Sequence, residues 1–85
     1  MFFMYILRSR KDGNLYIGST NNLRKRLQEH NAGHVVSTKD RRPFVLVYYE
    51  AYAIEKEARQ REHNLKHRGR VLRQLKLRIK ESVAS

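Results

Sequence analysis

Five side chains in this sequence are of types that chemistry can use, and each stands where a folding pattern asks for something apolar: Tyr5, Tyr16, Arg26, His30 and Glu57. A guanidinium offers two parallel N–H donors to phosphate oxygens, a fork that a lysine ammonium lacks. A lone carboxylate suits a hard divalent ion that keeps most of its waters. An imidazole can act as general base, proton relay or phosphate contact. A phenol titrates near pH ~10, so it serves as a base near neutrality only with help from a metal, a guanidinium or a positive field; as a neutral group it orients water. Hydrolysis of a phosphodiester needs an oxygen nucleophile and relief of the negative charge that builds in the transition state. Taken singly, each residue also has a plainer reading. Arg26 can snorkel at the rim of an apolar stripe with Arg24 and Lys25 as solvated neighbours, and His30 can sit in the last turn of a helix against its dipole.

The elements that must position these residues are legible in outline. Residues 3–9, FMYILRS, have the aromatic and β-branched character of a strand, and Asp12-Gly13 is a strong signal for a two-residue hairpin loop. LYIGS then returns as the second strand. This register pairs Ser9 with Tyr16, Leu7 with Gly18 and Tyr5 with Thr20, so Tyr5 and Tyr16 share a face but lie four residues apart, on the order of 13 Å. A longer loop with a bulge brings them closer. Ile6, Leu15 and Ile17 fall on the other face, the natural core face. Ser19, Thr20 and Asn21 are three candidate helix caps. Leu23, Arg26, Leu27 and His30 follow at i, i+3, i+4 and i+7, one stripe of a helix that Asn31-Ala32-Gly33 ends.

Residues 32–43 form a polar, basic loop holding the one Pro of the chain, long enough to suggest a working segment. Residues 44–52, FVLVYYEAY, read as a largely buried strand, with Tyr48, Tyr49 and Tyr52 as core or edge residues. Ile54, Ala58, Arg61 and Leu65 trace the inner side of a second helix, and Glu57, three residues after Ile54, falls on that same side. Glu62 has Arg61, His63 and Lys66 for companions and reads as part of a solvated face. Gly69 separates a last helix carrying Leu72, Leu75 and Ile79, and the chain is expected to fray beyond Lys80. The fold class is therefore α+β, a small three-stranded antiparallel sheet flanked by helices in the order β-β-α-β-α-α, with the helices over one face. Residues 1–80 make a single domain and 81–85 a tail.

Composition narrows the partners. The chain has 85 residues, 19 Lys and Arg against 8 Asp and Glu, a formal charge of +11 and no Cys. A chain of this size buries only about 60% of its unfolded surface, and neither a disulfide nor a thiolate metal site can supplement its core. The positive field attracts polyanions, nucleic acid first among them. The apolar MFFMYIL lacks the basic start and cleavage pattern of a leader, and no segment reaches the ~20 apolar residues of a membrane span. A cytoplasmic protein with no membrane partner is expected. His34, His63 and His67 show no pairing with carboxylates that marks a metal site.

The order Tyr5-Ile6-Leu7, Tyr16-Ile17-Gly18, Arg26 ten residues after the second Tyr, then His30, then a Glu opening a helix after a third strand, resembles the GIY-YIG nuclease domain. The resemblance runs from about Met4 to Lys66, includes LRKRLQEHN and RPFVLVYYE, and is strongest to small stand-alone members related to the nuclease domain of the bacterial nucleotide-excision repair enzyme. The first motif reads Phe3-Met4-Tyr5, so only its Tyr matches. The resemblance implies an endonuclease that cuts DNA phosphodiesters in repair or recombination, with one Mg²⁺ or Mn²⁺ per site. It implies that Glu57 holds the metal, that Tyr5 or Tyr16 deprotonates or positions the attacking water, that Arg26 meets the scissile phosphate, and that His30 stands where members have His or Tyr. Gly18 is expected to let substrate approach the backbone, with Arg24, Lys39, Arg41 and Arg42 as phosphate contacts. The alternative is a basic nucleic-acid-binding module, or a subunit of a larger assembly, with no chemistry of its own.

Overall fold

Four consecutive residues, Met4, Tyr5, Ile6 and Leu7, are each 2% exposed or less, which a strand achieves only when both of its faces are covered. The computed structural model describes all 85 residues and supplies that cover. Strand β1 (Phe2–Ser9) is the centre of an antiparallel sheet ordered β2-β1-β3, with β2 (Leu15–Thr20) and β3 (Phe44–Tyr52) as its edges. Helix α1 (Leu23–Asn31) lies on the face of Tyr5 and Leu7, where Leu23 and Leu27 pack around a cluster that includes Phe44. Helices α2 (Glu55–His67) and α3 (Gly69–Arg78) cover the other face, where Leu65 and Leu75 join Met4, Ile6 and Ile17 in the main core. The expected core face is thus the observed one. The helices are not confined to it, because a strand apolar on both sides demands two layers of cover. As an edge strand, β3 is buried at Phe44 and mostly half-buried beyond it.

The hairpin register differs from the sequence expectation by two residues. Leu7 pairs with Tyr16 and Tyr5 with Gly18. The buried Ser9 hydroxyl explains the slip, since it accepts hydrogen bonds from the backbone N–H of Lys11 and Asp12, both at 3.1 Å. Asp12 Oδ1 accepts from Asn14 N–H at 2.9 Å, and Ser9 N–H reaches Asn14 O. Residues 10–14 thereby close as one five-residue loop with Gly13 at φ +74°. Side chains alternate with period two, so a slip of two keeps every residue on its expected face. It also brings the tyrosines together.

Three other differences are local. The cap of α1 is Asn22, whose side chain accepts from Lys25 N–H, and none of Ser19, Thr20 or Asn21. The loop of residues 32–43 is partly ordered by a 3-10 turn, Lys39–Arg41. The tail closes as a fourth helix, α4 (Lys80–Ala84), against β3, and Arg8 donates to the carbonyl of Ser85. No helix is long and apolar enough to cross a membrane.

Candidate functional site: a cluster at the β2 edge

Gly18 sets the position of the first phenol. A Cβ at Gly18 would stand 2.5 Å from Tyr5 Cζ, so the glycine leaves the space into which the Tyr5 ring lies. On the side where a Cβ would project, the space at Gly18 is taken by a side chain of the protein and is not open to a substrate. Tyr5 and Tyr16 rings are 6.4 Å apart between centroids, and the His30 ring lies 5.9 Å from the first and 5.0 Å from the second. His30 itself is fully buried.

The hydrogen bonds of His30 define its state. Nε2 is 2.9 Å from the Tyr5 hydroxyl and Nδ1 is 2.8 Å from Thr38 Oγ1, which in turn lies 3.4 Å from Val35 O. One assignment gives every proton an acceptor: Tyr5 donates to Nε2, Nδ1–H donates to Thr38, and Thr38 donates to the Val35 carbonyl. The reverse leaves the Tyr5 proton without a partner. Burial, with the Arg26 guanidinium nearby, pushes the imidazole down to about 4, so the ring is neutral at pH 7. Burial pushes the Tyr5 phenol the other way, up to about 12, although Arg26 pulls against it. Tyr5 is 2% exposed, whereas Tyr16 is half-buried and open to solvent at the edge.

Arg26 projects from α1 beside Tyr5, half-buried, with NH1 3.1 Å from Glu29 Oε1. It lines a cleft between α1 and α2 at the end of β2, together with Ser19, Lys25, Glu29 and Arg59. From the other face of the sheet, α2 sends Glu62 to this edge. Ser19 Oγ donates to Glu62 Oε1 at 2.6 Å, and Lys66 Nζ donates to Oε2 at 2.6 Å while standing 5.7 Å over the Tyr16 ring. The negative charge of Glu62 is also felt at the Tyr5 phenol.

The acid at the cluster is therefore Glu62, and Glu57 is not brought to it. At 100° per residue the two lie about 140° apart around α2, and the Glu57 side chain is exposed on the flank away from β2. The difference from the sequence expectation lies in Ile54. It caps α2 and is 56% exposed, so the inner line of the helix runs through Ala58 and Leu65 alone, which turns Glu57 outward and Glu62 toward β2. The missed signal was Glu62 at i+4 from Ala58, followed by Lys66 at i+4 again. Ser19, a candidate cap by sequence, instead binds Glu62, and Thr38, in the polar loop, binds His30.

The basic loop residues are elsewhere. Arg41 binds Asp12 through Nε at 2.8 Å and stacks 5.5 Å over Phe44. Arg42 donates to Lys39 O at 2.6 Å and fills the space over Gly33. Both, with the exposed Lys39, lie over the hairpin loop, where Lys11 reaches Asp40 O and Arg10 N–H reaches Pro43 O. Arg24 is exposed, about 200° around α1 from Arg26. The structure brings none of the four to the cleft.

No group of three or more His, Asp or Glu side chains converges to cage a metal. Glu29 and Glu55 line the cleft beside Arg26, and Glu62 stands at the β2 edge with its oxygens held by the Ser19 hydroxyl and the Lys66 ammonium. This donor set fits a hard divalent ion that retains most of its waters, and does not fit zinc held by protein ligands alone.

Comparison with known proteins bears on the family and the fold. The family model described as "GIY-YIG catalytic domain" matches residues 1–76. A UPF0213 protein of Bacillus pumilus is 45% identical over 65 residues, which cover 75% of this chain and 65% of that protein. A UPF0213 protein of Staphylococcus aureus is 41% identical over 78 residues, covering 91% of this chain and 90% of the relative. The solution NMR structure of a UPF0213 protein from Bacillus halodurans superposes with a TM-score of 0.56 at 31% identity, over 93% of this chain and 87% of that one. With the family model covering most of its length, this chain belongs to the GIY-YIG catalytic domain family.

Proposed function

We propose that the protein is a divalent-metal-dependent endonuclease that hydrolyses DNA phosphodiester bonds at the β2 edge. The observation that carries the reading is the meeting, across one strand edge, of the Tyr16–His30–Tyr5–Arg26 group with the Glu62 carboxylate, linked through Lys66. A purely electrostatic binder has no use for an acid beside phosphates. Glu62 holds the metal, with Ser19 fixing one of its oxygens. The ion, when bound, supplies charge neutralisation and lowers the pKa of water. Arg26 exchanges its half-buried pair with Glu29 for a fork to the phosphate oxygens. Of the two phenols, Tyr16 is the one that reaches water, and it aligns or deprotonates the nucleophile. Tyr5 is buried and held protonated, so it orients His30. His30, neutral with Nδ1–H anchored on Thr38, keeps the ring edge fixed against Tyr16.

Nicking of supercoiled plasmid with Mg²⁺ or Mn²⁺ tests this. Arg26→Ala and Glu62→Gln should each lower the rate by about 10²-fold or more, and Glu57→Gln should leave it within about twofold of wild type, a surface change by the present geometry. Absence of cleavage by folded protein with any divalent ion would sink the enzymatic reading.

A further inference from the structure

Across the sheet from the tyrosines, one carboxylate carries an unusual load. Glu50 on β3 accepts from Tyr48 OH at 2.8 Å, Tyr52 OH at 2.6 Å, Arg61 Nε at 2.9 Å and Arg61 NH2 at 3.2 Å. Burial by itself would raise the Glu50 carboxyl, but Arg61 and the two phenols outweigh it and hold it below the usual range. Both members of the ion pair are largely covered, at 20% and 28% side-chain exposure, and the fork is bidentate, the geometry that fixes orientation as well as distance. None of these four residues touches the cleft.

Arg61 and Glu62 are consecutive residues of α2, pointing to opposite flanks, one to β3 and the other to β2. The apolar anchoring of α2 consists of Ala58 and Leu65, seven residues apart and so almost on one line along the helix. A single line of contact fixes the height of a helix over a sheet and leaves its rotation about its own axis weakly held. The N-terminus adds no side-chain cap. A roll of about 20° would carry a carboxylate at a radius of about 6 Å through about 2 Å, enough to lose the Ser19 contact and the alignment with Tyr16.

We propose that Glu50 and Arg61 are positioning residues: their forked pair, braced by Tyr48 and Tyr52, locks the roll of α2 and thereby aims Glu62 at the β2 edge. The proposal rests on the reading of Glu62 as the metal-holding residue. It gives a polar cluster on the far side of the main core a role in the chemistry of the near side.

The test is an NMR titration of the full chain with Mn²⁺, following paramagnetic broadening of the backbone amides of Ser19 and Glu62, with nicking kinetics alongside. Glu50→Gln, confirmed folded by its amide spectrum, should need about tenfold more Mn²⁺ for the same broadening, and kcat should fall about tenfold or more with KM for DNA little changed, as small misplacements of a catalytic group do. Tyr52→Phe removes one bond and no charge, and should move both readouts in the same direction by less. It keeps the test decisive if Glu50→Gln does not fold. Equal Mn²⁺ dependence in wild type and folded variants would overturn the clamp and leave the nuclease reading standing. No broadening at Glu62 in the wild type would overturn the metal reading and the clamp with it.

Discussion

Gly18 shows how much one missing side chain decides at the scale of residues. Its place is taken by the Tyr5 phenol, so Gly18→Ala should overpack this spot, cost about 1–3 kcal/mol in urea unfolding, and reduce nicking by displacing Tyr5 from His30. His30 makes a prediction with a sign. Its folded pKa near 4 lies below the unfolded value of about 6.5, so the unfolded chain binds the extra proton first as pH falls. Its contribution is whole above pH ~6.5 and drains away toward pH ~4, with a loss of about 2 kcal/mol between pH 7.5 and 5. His30→Gln should flatten that dependence in urea titrations at the two pH values. Tyr5, Tyr16, Arg26 and His30 could be picked from the sequence because each is polar at a position that the strand or helix period turns inward, and the structure does gather them. Glu62 could not be separated from Glu57 in that way. The choice depends on Ile54, an apolar residue that caps the helix exposed to solvent and so does not mark its inner face.

At the scale of elements, α1 needs its cap. Asn22→Ala should cost about 1 kcal/mol and lower Tm by about 4–8 °C, measured by circular dichroism, since Lys25 N–H has no other side-chain acceptor. Ser19, Thr20 and Asn21 are the candidate caps by sequence, and Asn22, the next residue and of an equally good capping type, is the one used. What sorted them was tertiary: Ser19 is drawn to Glu62 and Thr20 accepts from Asn22 N–H. The hairpin was legible as a hairpin, and its register was not, because Asp12-Gly13 fits a short loop as well as a five-residue one until the buried Ser9 hydroxyl chooses. The continuous apolar run at Met4–Leu7 did carry the news of two covered faces, in its lack of alternation. The 3-10 turn and the pairing of Thr38 with His30 left no periodic trace.

At the scale of the whole molecule, five ion pairs engage Asp12, Glu29, Glu50, Glu55 and Glu62, and most of the 19 basic residues keep no acidic partner. DNA affinity should therefore fall steeply with salt, by about 10³-fold between 50 and 200 mM if six or more phosphates are engaged, as read by fluorescence anisotropy. Charge and length were enough to forecast an anionic partner and a small core. The two-sided layering required knowing what each helix face meets. That layering has a geometric corollary. The acid arrives from one side of the sheet and the phenols, imidazole and guanidinium from the other, so on the proposed reading the reacting atoms would meet at the rim of the sheet. A strand severed there would leave the rim sideways, parting from each layer in turn, and turnover would ask neither half of the protein to unpack.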